Sequence, residues 1–185
     1  MIQLGENPQN VFCVGAVGVE NIMKMQLLDK SELEKSISFS LEKPYAVVTF
    51  HPVTLENDSA EAQFAELLKA IDQHKEIKYI FTKANADANG RIINKMIDDY
   101  AAGNANVAAF ESLGNLRYLS ALKYAAMVIG NSSSGIVEAP SFGIPTINIG
   151  DRQNGAYSGR KRYQLPTGLH RDFGGYQPRK FAGFS

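Results

Sequence analysis

The run Gly130-Asn131-Ser132-Ser133-Ser134-Gly135-Ile136-Val137-Glu138 is the part of this 185-residue chain best suited to chemistry. Small residues let a ligand come close to the backbone. A helix starting near Ser133 would present unpaired N–H groups at its positive end. Serine hydroxyls add donors, so the spacing suits a phosphate or pyrophosphate. A single serine capping a tight strand-to-helix turn would account for the same residues without a ligand. Glu138, one turn further on, would face the same rim. A carboxylate repels phosphate but accepts hydrogen bonds from the hydroxyls of a ribose; the plainer alternative is a solvated helix residue.

Other residues join this run by their position after apolar strands. His51 stands before Pro52, which forces an extended backbone, and an imidazole with an ordinary pKa near 6.5 could protonate a leaving phosphate or hold its charge. Arg152 carries a fork that matches a diphosphate, or is a plain surface charge. Asn85 and Asp87, in the loop Thr82–Gly90, could contact a sugar or simply make a turn and helix cap. Lys83, Glu111, Ser112 and Asp151 fall at the same ends. Gly15-x-x-Gly18 lacks the three-glycine dinucleotide fingerprint, and no acidic residue closes the second strand, which argues against NAD. Cys13 reads as core and His74 as a solvated helix residue. No metal site and no cofactor are expected.

The elements that must position these groups alternate. Val11–Val14, Tyr45–Phe50, Tyr79–Thr82, Val107–Phe110, Met127–Gly130 and Thr146–Ile149 read as six buried strands. Between them, helices are expected over Val19–Leu28, around Phe64, Leu67, Leu68 and Ile71, around Ile93, Met96, Ile97 and Tyr100, over about Asn115–Ala125, and from near Ser133. Asp58 and Glu61 have the spacing of a capping box. Continuous apolar strands alternating with helices imply a parallel sheet covered on both faces, a Rossmann-like three-layer α/β sandwich. Ligands bind such sheets beyond the carboxyl ends of the strands, where the polar residues collect.

Composition limits the function classes. The chain has 19 Lys plus Arg and 19 Asp plus Glu, a net charge of zero, which argues against a general nucleic-acid binder. Hydrophobic residues at 44% and charged residues at 21% are those of an ordinary globular protein. No stretch has the roughly 20 apolar residues of a membrane helix, no signal pattern opens the chain, and the single cysteine fits a reducing cytoplasm. The charge is unevenly placed: seven basic and two acidic residues follow Gly150, leaving 12 basic against 17 acidic before it. That tail has no Val, Ile or Met, and residues 156–185 are expected to be a disordered basic arm.

The set His51-Pro52-Val53-Thr54, Asn85-x-Asp87-Ala88, Asn131-Ser132-Ser133-Ser134-Gly135-x-x-Glu138 and Gly150-Asp151-Arg152-Gln153 resembles the hydrolysing UDP-N-acetylglucosamine 2-epimerases that open sialic acid biosynthesis, the bacterial capsule-pathway members above all. The resemblance covers about residues 1–155. It implies the C-terminal, UDP-binding half of a glycosyltransferase-B architecture, in a cytoplasmic and homo-oligomeric family, with an N-terminal domain expected in addition. It implies that Ser132, Ser133 and Gly135 hold the pyrophosphate, Glu138 the ribose and Arg152 the UDP, with His51 catalytic in the cleft and Asn85 and Asp87 near the UDP-sugar. The implied reaction removes the C2 proton, expels UDP from C1 to give 2-acetamidoglucal, and adds water with inversion at C2, releasing N-acetylmannosamine.

Alternatives of other kinds stay open: a non-catalytic nucleotide-binding or interaction module, or an enzyme acting on a UDP-diacetamido sugar. The family continues after Asp-Arg-Gln-x-Gly with a pattern like Ala-x-Ser-Val-Ile. One choice of synonymous codons for residues 156–165 restores that pattern in a second frame. A frameshift near Asn154–Ala156 is therefore an expectation for the tail, and sequencing the gene tests it.

Overall fold

The computed structural model describes residues 1–12, 17–52, 60–84, 88–153 and 162–165. Tyr45–Thr49 (β1) is buried along its whole length because it lies in the middle of a parallel sheet. Lys78–Thr82 (β2) and Val107–Phe110 (β3) extend the sheet on one side, and Met127–Gly130 (β4), Thr146–Ile149 (β5) and Arg162–Leu165 (β6) on the other. The order is β3-β2-β1-β4-β5-β6. Chain direction across the sheet reverses between β1 and β4, whose register pairs Ala46 with Met127 and Thr49 with Gly130.

Side chains along a strand alternate between faces, and the two cores follow that period. Ala46, Val48, Tyr79, Phe81, Met127 and Ile129 face one layer, packing on Phe64, Leu67 and Ile71 of Ala60–Asp72 (α3) and on Ile93 and Ile97 of Ala88–Ala102 (α4). Phe50, Phe64 and Phe81 cluster there, the first pair tilted at 5.5 Å between ring centroids and the second edge-to-face at 6.2 Å. Tyr45, Val47, Ile80 and Val128 face the other layer. Their partners are Leu33 and Ile37 of Lys30–Ile37 (α2) and Leu119 and Leu122 of Gly114–Tyr124 (α5). Tyr45 reaches through this layer to donate to Ala121 O at 2.6 Å, and burial raises its hydroxyl pKa. This is the expected sandwich of helix, sheet and helix.

Five readings of the sequence need correction or completion. Val11 and Phe12 are not strand, and Phe12 is 77% exposed. Both hydrogen-bonding sides of β1 are already occupied by β2 and β4, so an added strand could only have joined an edge. Cys13, Val14 and Gly15 lie outside the described residues, as does Asp58 of the expected capping box. The first helix is Val17–Lys24 (α1), shorter than its apolar run suggested. The amphipathic α2 was missed. Its start carries a reciprocal box in which Asp29 and Glu32 each accept from the other's backbone N–H at 2.8 Å. Finally, Arg162–Leu165 is not an unpaired tail but pairs in parallel with β5, because an edge strand needs only backbone donors and acceptors. His74 sits in the turn after α3 rather than in it, with Nδ1 3.2 Å from Glu76 Oε1.

At the end of β4, Gly130 has φ 135° and its Cα lies against β1: a Cβ there would stand 1.8 Å from Thr49 O. No side-chain movement relieves a clash with backbone. Gly130→Ala is expected to destabilise the fold by about 3 kcal/mol or more. Urea denaturation of the variant measures this, and an unchanged midpoint would contradict the close approach.

Candidate functional site

The rim beyond β1 and β4 is built around Asn131, the first residue after β4, which is 1% exposed. Its N–H donates to Thr49 O at 3.2 Å, continuing the β1–β4 ladder by one step. Its Oδ1 accepts from the His51 N–H and its Nδ2 donates to the His51 carbonyl, both at 2.7 Å. Its own carbonyl accepts from Arg152 Nη1 at 2.9 Å and Gln153 Nε2 at 3.1 Å. His51, the serine run and Arg152, far apart in the sequence, thus meet at one crevice.

The serine run turns directly into the short helix Ser134–Val137 (α6). Ser133 occupies the N-cap position without making a side-chain cap bond; Ser132 Oγ accepts from the Ser134 N–H at 3.3 Å instead. The capping expected of one serine therefore falls to Ser132. Among the described residues the N–H groups of Ser132 and Ser133 meet no acceptor, and Ser133 is exposed. Ser134 is buried and accepts from the Tyr118 hydroxyl. Gly135 is buried as well. A Cβ there would lie 2.5 Å from Thr146 Cγ2, its N–H points to Ser132 O at 3.3 Å, and its carbonyl accepts from Thr146 Oγ1 at 2.8 Å. The observed part of Gly135 is to seat α6 on β5.

Glu138 ends α6. Its Oε2 is buried with no hydrogen-bond partner among the described residues. Its Oε1 lies by α1, 3.4 Å from where a Cβ on Gly18 would stand. A buried carboxylate oxygen without a donor costs free energy. Burial pushes the Tyr118 hydroxyl above its ordinary range, the charge of Glu138 adds to that, and hydrogen bonds with Ser134 and Thr49 oppose it. Tyr118 thus stays a neutral donor at the base of the serine turn.

Of the other residues expected at the rim, Asn85 and Asp87 lie outside the described residues. The adjoining Ala84 is pinned through both backbone groups to the Asn94 side chain, at 2.8 and 3.0 Å. Lys83 turns aside to pair with Asp98 of α4 at 2.8 Å. Ser112 caps its own turn, accepting from the Gly114 N–H at 3.1 Å, and Glu111 is exposed. Among the described residues no three His, Cys, Asp or Glu side chains converge as metal ligands would, and no helix is long and apolar enough to cross a membrane. Asn131 belonged to the singled-out run but carried no role of its own in the sequence reading, and Thr49 and Tyr118 carried none. An asparagine straight after a buried strand that ends in glycine was the available signal.

A doubly wound parallel sheet with polar groups gathered at its point of reversal defines a Rossmann-like ligand-binding domain. A family model described as UDP-N-acetylglucosamine 2-epimerase matches residues 1–167, and the chain belongs to that family. The chain is 44% identical over 156 residues to a Campylobacter jejuni protein named GDP/UDP-N,N'-diacetylbacillosamine 2-epimerase (hydrolyzing), covering 84% of this chain and 41% of that one. It is 42% identical over 168 residues to the Escherichia coli polysialic acid biosynthesis protein P7, covering 90% and 42%. A Methanocaldococcus jannaschii UDP-GlcNAc 2-epimerase solved with UDP-GlcNAc and UDP superposes with a TM-score of 0.58 at 16% identity, over 90% of this chain and 47% of that one; at this identity the likeness shows the fold. The chain thus spans about two fifths of the curated relatives' length.

The seating of Gly135 makes a prediction. Gly135→Ala should lower stability by about 1–3 kcal/mol through overpacking. Adding Thr146→Ser, which removes Cγ2 and keeps the hydroxyl, should recover part of the loss. Thermal unfolding of the single and double variants measures both effects; equal melting temperatures for wild type and Gly135→Ala would refute the packing role.

Proposed function

We propose that this chain is the UDP-sugar-binding half of a hydrolysing UDP-N-acetylglucosamine 2-epimerase, working in the cytoplasm. The observation that carries the reading is the buried Oε2 of Glu138, which has no hydrogen-bond partner among the described residues, beside a serine turn with two N–H groups that meet no acceptor among them. A ribose hydroxyl would give Glu138 the donor it lacks. The N–H and hydroxyl groups of Ser132 and Ser133 would hold the pyrophosphate, with Gly135 keeping the turn seated. Arg152, already fixed by one nitrogen to Asn131 O, would turn its remaining donors to the diphosphate. His51 would act at the mouth of the crevice, and Asn85 and Asp87 on the sugar side.

In the proposed reaction a base removes the C2 proton and UDP departs from C1. Water then adds to 2-acetamidoglucal with inversion, giving N-acetylmannosamine and UDP. Fixed N–H dipoles and a guanidinium stabilise the diphosphate as its charge grows on leaving, which lowers the barrier. The C2 acid–base carboxylates would come from a further domain, so the isolated chain binds UDP without turnover. A second reading, a UDP-diacetamido sugar as substrate, is favoured by the 44% identity to the diacetylbacillosamine enzyme.

Calorimetric titration with UDP tests the shared part of both readings. The wild-type chain should bind saturably. Glu138→Ala and Arg152→Ala should each weaken binding by about tenfold or more, the size of a lost charge-assisted hydrogen bond. A folded chain that ignores UDP, or variants that bind as the wild type does, would sink the proposal.

A further inference from the structure

We infer that Asn131 is a positioning residue that sets the histidine loop and the arginine together, a role that rests on the reading of this rim as a UDP-sugar site. Its amide uses both of its functions on the backbone of one residue, accepting from His51 N–H and donating to His51 C=O, each at 2.7 Å. A carboxamide does both at once from two separate atoms in one plane; a carboxylate has no donor, and an aliphatic side chain has neither. Pro52 restricts the same residue from the other side, disfavouring a helical backbone at His51. The backbone direction of the loop after β1 is therefore fixed at His51 itself, and with it the base of the imidazole.

The opposite end of the residue does a second task. Asn131 C=O accepts from Arg152 Nη1 and Gln153 Nε2, at 2.9 and 3.1 Å. The guanidinium is thereby brought from the end of β5 to the foot of the serine turn, although Arg152 is exposed. A shift of Asn131 displaces the imidazole and the guanidinium together. Because the residue is nearly fully buried, its own atoms act on the ligand through these two groups.

Asn131→Asp tests the inference, since it keeps size and shape and removes the donor to His51 C=O. UDP affinity should fall about tenfold. In the Asn131→Asp background, His51→Ala should cost less than twofold more, because the ring is already displaced. The His51 amide and imidazole NMR signals should move as well. Fold changes that simply multiply would overturn the coupling. So would a variant with a lowered melting temperature but wild-type His51 signals and UDP affinity, which marks a purely structural residue. The His51 amide of the wild-type chain supplies an independent measurement: slow hydrogen exchange is expected, and fast exchange overturns the inference even if Asn131→Asp does not fold. A wild-type chain that fails to bind UDP while its His51 amide is protected and Asn131→Asp removes that protection counts against the site reading, and leaves the clasp standing.

Discussion

The rim depends on how closely β4 approaches β1 at its last residue. Gly130 lies so near the Thr49 carbonyl that no side chain fits between them, and Asn131 then bonds the same carbonyl. Past that point the two strands continue in different directions, one into the histidine loop and one into the serine turn. Strand order reverses here, so the helices that follow lie on opposite faces and leave a crevice between the loops. A bulkier residue at Gly130 would push the strands apart and separate His51 from the serine turn. A close contact within the sheet therefore fixes how far apart the two loops stand.

The crevice combines two kinds of hydrogen bonding left unmet among the described residues. The serine turn offers N–H donors and Glu138 offers an acceptor, a few residues away on the same turn and short helix. Under the proposed reading, a nucleoside diphosphate answers both, its phosphate oxygens accepting from the N–H groups and its ribose hydroxyls donating to the carboxylate. The surrounding groups keep the two kinds apart. Tyr118 stays protonated through burial, supplies a donor to Ser134 and adds no second negative charge beside Glu138.

Much of this could be read from the sequence where periodicity and residue type were strong. Phe64, Leu67 and Ile71 marked α3 by their spacing, and Tyr45–Thr49 marked the central strand by its unbroken apolar run. Arg162–Leu165 was not legible, because an edge strand is held through its backbone and requires no apolar face. The helix α2 is largely polar, with Leu33 and Ile37 buried, so its clearest signal was the Asp29–Glu32 box. Val11 and Phe12 misled in the opposite way, an apolar pair that forms no strand and leaves Phe12 exposed. At the candidate site, the serine run and Glu138 could be singled out by residue type. The clasp of Asn131 on His51 did not, since its two ends are 80 residues apart and only the register of β1 and β4 joins them.

That separation has a consequence for how the molecule forms. Closing so long a stretch of chain for two side-chain hydrogen bonds is entropically unfavourable by itself. The clasp can close only once β1 and β4 are already side by side, with the helix layers holding them. The crevice therefore matures after the sheet that frames it. The same order run backwards makes it a region that can open without unfolding the core, so local opening at the rim and global unfolding belong to different steps on the free-energy ladder.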